Sequence, residues 1–386
     1  MATNVYGNGT NSTAGANTIT HFYDRAGVKA ANRVNVYGQF ADRKSMPKKM
    51  GKTFKISKFL HMYDRAPNDA EFAAAGFLSA RSVADVNTAL TNATLTEGAG
   101  AVNKRTLQKI TMETSLARYG EMIDYTDEVE LFSEDTMQVR YREELGELAN
   151  SRQEDLLQLD MLSTGTVMYS GSATAIGEID EDSTVSYDLI RKAVRKLVRN
   201  RGKKNTTMVT GSTKIDTLTV AKAYYAVIGA NVKGDLETLT RGTVAANGMT
   251  EFVYIPSHKY GSASTLTEGE VGAMHEVRFI ESEAAVVYAG DGAAATTANV
   301  GNLSYTGTLD TTGKFDVFPI LFPTQGSFAT VGLKGQGKIK FNSKSPSEVE
   351  NANPYGTNGF FSYNFFYAGI ILEEEKLLKV LVSASA

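Results

Sequence analysis

The sequence predicts an α+β chain, on three grounds. Residues 135–163 repeat apolar side chains at helical spacing over a length no other segment matches. The second half is a succession of short apolar or alternating runs, and residues 46–113 open and close with alternating runs about 45 residues apart.

The chain has 386 residues, 42% hydrophobic and 22% charged, enough to bury a substantial core. It contains no cysteine, which excludes disulfide staples, thiolate metal sites and cysteine nucleophiles, so stability has to come from burial. The opening MATNVYGNGTNSTAGANTIT has neither a basic start nor an apolar run; it reads as a polar, flexible arm and not as a secretion signal. The most apolar segment, FFYAGIIL at 365–372, is too short to span a bilayer, so a soluble protein with no membrane contact is expected.

Charge is unevenly spread. The formal net charge is −3, yet Arg25–Arg65 holds eleven Lys and Arg against Asp42 and Asp64, while Glu121–Asp160 holds thirteen acids against three arginines. The stretch MPKKMGKTFKISKF, 46–59, carries five lysines and no acid. A dedicated nucleic-acid binder is usually basic throughout, so two opposite segments on one weakly acidic chain point first to protein contacts within or between copies.

Within TFKISKFL, 53–60, Phe54, Ile56 and Leu60 share one parity and Thr53, Lys55 and Ser57 the other; in TLQKITME, 106–113, Ile110 and Met112 oppose Lys109 and Thr111. Between them lie the helical patch NDAEFAAAGFL and the polar stretch NTALTNATLTEGAGAVN. Residues 46–113 are therefore expected to form a two-stranded excursion whose apolar face needs support, with a second subunit as its source. Next, Asp135 can cap a helix whose apolar side is Met137, Tyr141, Leu145, Leu148, Leu156, Leu159 and Leu162, with a skipped turn at Arg152. At ~1.5 Å per residue it is a rod of about 40 Å with an acidic remaining face. A second helix at 186–200 buries Leu189, Ile190, Val194, Leu197 and Val198, presents Arg191, Lys192, Arg195, Lys196 and Arg199 to water, and ends at Gly202. Strands are expected at 207–212, 251–256, 276–282, 285–290, 315–323, 337–342, 362–372 and 376–382, the last two as a hairpin around Glu373–Glu375. Residues 291–313 read as an inserted loop.

Chemistry finds little support. His21, His61, His258 and His275 have no ligand spacing. The glycines of 332–337 lack the strand–turn–helix context of a dinucleotide loop and read as a turn, and 211–214 has phosphate-loop letters in the wrong order. Asp180–Asp182 lacks the glycine and distal glutamate of a calcium loop and reads as a solvated turn, and Glu373–Glu375 as an exposed one. No catalytic, cofactor or metal residues are expected.

The segments KKMGKTFKI (48–56), YGEMIDYTDEVELF (119–132), GEVGAMHEVRFIES (269–282) and NPYGTNGFFSYNFFYAGIILEEEKLLKVLV (353–382), in that order along nearly the whole chain, resemble the major capsid proteins of tailed double-stranded DNA bacteriophages, which share the Hong Kong 97-like fold, and more narrowly the branch typified by the N-four-like phages. The resemblance implies an amino-terminal arm at 1–45 and an extended loop at 46–113 lying on the adjacent subunit. It implies a peripheral domain at 114–165 with the spine helix, completed by about 271–290, an axial domain at 166–270, and a loop insertion with carboxy-terminal strands at 291–386. It also implies a non-enzymatic coat protein of the virion, assembled in the host cytoplasm as pentamers and hexamers of an icosahedral shell around double-stranded DNA that it touches weakly and without sequence preference. A portal and a separate scaffolding protein are implied partners, a decoration protein is compatible, and lysine-to-asparagine crosslinks are not predicted. On this reading Lys48, Lys49, Lys52, Lys55 and Lys58 cross onto the acidic helix or its flanks in the next copy, with Glu143, Glu144 and Glu147 as contact candidates and Phe54, Ile56, Ile110 and Met112 supplying most of the attraction. An encapsulin-like nanocompartment shell, a carboxylate-dependent hydrolase and a nucleic-acid binder are the alternatives.

Overall fold

In the computed structural model the described residues are 35–59, 82–98, 100, 103–104, 107, 109–132, 137–206, 220–239, 253–260, 266–295, 313–335, 339–349 and 353–385. Residues 1–34 of the arm, the patch 68–78, the strand expected at 207–212, the loop letters at 211–214, His21, His61 and most of 291–313 lie outside them. In chain order the elements are β1 (Asp42–Met46), β2 (Thr53–Phe59), α1 (Val83–Thr91), β3 (Lys109–Ser115), β4 (Ala117–Thr126), α2 (Asp127–Phe132), α3 (Met137–Leu162), β5 (Val167–Tyr169), α4 (Tyr187–Arg199), β6 (Tyr224–Gly229), α5 (Ala230–Glu237), β7 (Ile255–Pro256), β8 (Glu270–Met274), β9 (Val277–Ser282), β10 (Phe318–Pro323), β11 (Phe328–Leu333), β12 (Lys340–Lys344), β13 (Asn358–Ile371) and β14 (Leu377–Val382). They fall into two units, one holding Gly120–Asp155 and Ile339–Asn364, the other Val36–Tyr119, Leu156–Lys338 and Phe365–Ala386.

The larger unit is built on a seven-stranded sheet, ordered β5-β14-β10-β6-β9-β8-β7. Its inner strands are almost wholly buried, all six residues of β10 among them, and accordingly read as continuous apolar runs without alternation. Helix α4 lays Leu189, Ile190, Ala193, Val194 and Leu197 on the same core as Phe279, Ile320, Phe322 and Val380. Ser186 caps it by accepting from the Leu189 N–H. It ends at Arg199, and Arg201 in place of the expected glycine takes the left-handed conformation (φ 56°), with Gly202 N–H reaching back to Leu197 O and Arg201 N–H to Val198 O. Val198, expected inside, is half exposed, and Lys196, expected in water, donates to Val167 O; burial lowers its pKa.

The expected carboxy-terminal hairpin is replaced by a longer device. Strands β10 and β14 pair antiparallel in the seven-stranded sheet, and β11 and the end of β13 pair antiparallel in a second sheet, so two ribbons bend together from one sheet into the other. The bend is pinned by Thr324 Oγ1 donating to Lys376 O and by the Leu372 and Glu373 N–H groups, both donating to Ser327 O. Glu373 pairs with Lys376, and Glu374 accepts from Gly165 N–H, so this acidic run is engaged and not a solvated tip. Residues 285–290, expected as a strand, form only an isolated bridge from Tyr288 to Val317.

Two polar clusters sit inside this unit. Arg278 on β9 and Glu270 on β8 are buried ion partners 3.7 Å apart, and the Arg278 guanidinium lies over the Tyr260 ring. Burial raises the Glu270 pKa despite the opposing Thr267 N–H, Arg278 and Tyr260. Desolvation here exceeds the pairing. Elsewhere Tyr367 donates to Asp160 at 2.7 Å, and burial raises the pKa of both groups. Gly369 leaves room for that carboxylate: a Cβ there would overlap it and come 3.0 Å from the Phe328 ring.

In the smaller unit β12 pairs antiparallel with the first half of β13, from Lys340↔Asn364 to Lys344↔Phe360. Tyr125 stacks on Phe361 (5.4 Å, 13°), and Arg142 lies over the same ring at 5.2 Å. Gly359 is required by closeness, since a Cβ would fall 2.7 Å from Tyr125 and 2.8 Å from Lys344 O. The segment that closes on 120–155 is thus 339–364, while Val277–Ser282, expected beside the spine helix, lies in the seven-stranded sheet. Helix α3 has the expected length. Its buried residues are Leu145, Ala149, Glu154, Leu157, Gln158, Met161 and Leu162, whereas Leu159 is 55% exposed. The apolar side assigned from the sequence drifts off the buried side after Arg152, because two buried polar residues, Glu154 and Gln158, hide its continuation.

Candidate self-assembly surface

Strand β1 runs parallel to β11 at the edge of its sheet, and its residues Asp42, Arg43, Lys44 and Ser45 are exposed. Charged side chains on an edge discourage indiscriminate strand addition. Met46 plunges into the apolar cluster of Leu116, Ala329, Val331, Ala368 and Ile370, and its carbonyl accepts from Lys334 N–H. The chain then turns through Pro47–Lys52, with Lys49 (φ 66°) and Gly51 (φ 83°) in left-handed conformations, before entering β2. Lys48, Lys49 and Lys52 are exposed on this turn, and Met50 between them is 71% exposed.

Strands β2 and β3 form the expected antiparallel pair, Thr53↔Ser115 to Phe59↔Lys109. The face holding Phe54, Ile56, Lys58, Ile110, Met112 and Thr114 is half-buried and the opposite face is exposed. The half-buried face corrects the expectation that its apolar residues wait for another subunit: Phe54, Ile56 and Met112 pack on the chain's own Ala329–Val331 and Ala368–Ile370 cluster. Thr114 Oγ1 donates to Gly369 O and Lys58 Nζ to Leu372 O, fixing the ribbon there. The physical reason is local: the sheet made by β11 and β13 exposes an apolar surface of its own, and covering it within the chain costs no association entropy. Replacing Ile56 with aspartate should therefore destabilise the isolated subunit by roughly 2–4 kcal/mol, by loss of burial and introduction of a desolvated charge; a melt of monomeric protein unchanged by the substitution would contradict this packing.

The five lysines thus divide. Lys58 is turned inward, Lys55 pairs across the ribbon with Glu113 at 2.7 Å, an exposed contact worth about 0–1 kcal/mol, and Lys48, Lys49 and Lys52 remain outward. Ile110 is half-buried without joining that cluster. Among the predicted acids on α3, Glu143 and Glu144 are exposed and Glu147 half-buried. The nearby Arg152 bonds Glu121 at 3.2 Å and reaches Asp155.

Sequence reasoning missed exposed apolar residues on two short helices, one in each unit. Helix α2, DEVELF, has Leu131 73% and Phe132 85% exposed, and α1 occupies part of what reads as polar linker, with Val83 and Leu90 exposed. Adjacent acids and aromatics without a stripe are the signal that α2 offers, because no helical face of it can be buried whole. Among the described residues no group of His, Asp and Glu is placed to hold a metal ion, and no helix is long and apolar enough to cross a membrane.

No family model matches the sequence. Over 381 residues, however, it is 31% identical to the major capsid protein of Pseudomonas phage KPP21, covering 95% of this chain and 93% of that protein. The chain belongs to the phage major capsid proteins. Solved structures agree at the level of fold: the capsid protein of cyanophage Pam1 (TM-score 0.58, 13% identity, 97% of this chain and 99% of that one) and the capsid of Ralstonia phage GP4 (TM-score 0.57, 11% identity, 96% and 98%). The capsid protein therefore has the Hong Kong 97-like α+β architecture, a structural role as coat protein, and the virion capsid as its place. The nanocompartment, hydrolase and nucleic-acid alternatives are not favoured.

Proposed function

We propose that this capsid protein assembles, without enzymatic activity, as pentamers and hexamers of a closed icosahedral shell that encloses double-stranded DNA. The observation that carries the reading is the likeness to a major capsid protein over almost the full length of both chains. The seven-stranded sheet with α4 and α5 supplies the axial body around the five- and six-fold axes, α3 the spine, residues 1–45 the arm and 46–113 the loop that reaches the next copy. Packing of the hairpin base on its own sheet leaves the exposed turn 47–52, with Lys48, Lys49 and Lys52, and the outer residues Phe59 and Leu107 as the loop's contribution to neighbours. Obligate interfaces of this kind commonly bury ~2,000–5,000 Å², and closure makes individually modest contacts reinforce one another. A formal charge of −3 lets packaged DNA rest against the shell with only weak, salt-dependent attachment. Assembly takes place in the host cytoplasm with a separate scaffolding protein and a portal, and leaves room for a decoration protein. Electron microscopy of the protein co-expressed with its scaffold should show closed particles of uniform size built of pentamers at the vertices and hexamers between them; a population of monomers alone at physiological salt would overturn the proposal.

A further inference from the structure

We propose that the cationic turn 47–52 of one copy seats helix α2, Asp127–Phe132, of a second copy, an assignment that rests on the coat-protein reading above and names the contact it needs. The turn offers Lys48, Lys49 and Lys52 around a methionine side chain that is 71% exposed and finds no cover in its own subunit. Helix α2 offers the complement. Its sequence, DEVELF, continues as SED, so nine residues carry five acids and no base. Glu128 is exposed, and Leu131 and Phe132 stand 73% and 85% in solvent.

Two large apolar side chains at the end of a six-residue helix contribute nothing to their own fold when exposed, and contiguous exposed apolar groups rimmed by charge mark contact sites. An aromatic anchor in an acidic segment, meeting a flexible methionine among lysines, combines burial at the centre with steering at the rim. The competing acids are less suited. Glu113 is held by Lys55, Glu121 by Arg152, Glu276 by Lys204, Glu281 by Lys233 and Glu373 by Lys376. The exposed acids Glu143 and Glu144 of α3 flank Leu145, which is buried and offers no anchor. Packaged DNA is the other polyanion such a turn could meet, but phosphates have no use for Met50 at its centre.

The test is a charge exchange scored by particle yield. Lys49→Glu with Lys52→Glu should lower shell yield by about tenfold or more while leaving the monomer melt unchanged, because both positions are exposed. Glu128→Lys with Glu130→Lys should do the same, and the four changes in one chain should restore shells. Failure of the exchanged protein to recover, or normal yield from either double variant, would overturn the assignment. So would shells that form normally but retain less DNA, which would give the turn to phosphates. The absence of native cysteine allows a second readout that needs no loss of function. Shells co-assembled from Pro47→Cys and Val129→Cys chains, which keep Met50, Phe132 and the charged residues, should give disulfide-linked dimers on mild oxidation in air, in which two thiols lose two electrons and two protons to oxygen. Shells without such dimers would sink the contact, whereas wild-type protein that forms no shells at all would sink the coat-protein reading itself.

Discussion

Arg278→Met should lower the unfolding free energy of the isolated subunit by about 3–5 kcal/mol at pH 7, because it strands the Glu270 carboxylate in the seven-stranded sheet. Both side chains are at most 1% exposed. The loss is that of a buried charge deprived of its partner, so Arg278→Met combined with Glu270→Leu should recover most of it. Desolvation already holds the Glu270 pKa above its ordinary 4.5, so the folded form binds the proton more tightly than the unfolded chain. Stability from that proton is complete below about 4.5 and lost as pH rises through the folded value. Removing Arg278 raises the folded value further, and the deficit of Arg278→Met should shrink between pH 7 and pH 5. Urea midpoints of the monomer across that range are the measurement. A deficit independent of pH, or one that the double substitution leaves untouched, would mean that the pair carries no such cost.

Gly369→Ala should cost about 1–3 kcal/mol from overpacking, and about as much again if Tyr367 loses its acceptor. The added methyl overlaps the Asp160 carboxylate and comes 3.0 Å from the Phe328 ring. The carboxylate is the part able to move, and moving it breaks the 2.7 Å bond from Tyr367. The effect should therefore be coupled: in an Asp160→Ala background the same substitution should cost less, since only the Phe328 ring at 3.0 Å then has to give way. Additive losses in thermal melts of the four proteins of this cycle would rule out that cause.

Much of the architecture was legible because period and burial coincide where one face of an element is wet. Helix α4 has a clear seam, the β2–β3 ribbon alternates, and α3 runs its expected length. Legibility failed where burial is two-sided or carried by polar groups. Strands β6, β8 and β11 passed unread, and the stripe of α3 slipped because Glu154 and Gln158 are inside while Leu159 is not. The candidate site divides in the same way. Its lysines were visible as unbalanced charge, whereas Leu131 and Phe132 look like any apolar pair until their exposure is known.

Charge segregation, the lack of cysteine, the long rod and the ribbon all follow from local order along the chain, since they depend on neighbours within a few residues. Which surface the ribbon covers, and that β14 joins β10 while β13 joins β11, were decided in three dimensions. Strand pairing and apolar contact are indifferent to sequence distance, and a greasy face records that it must be covered without recording by what.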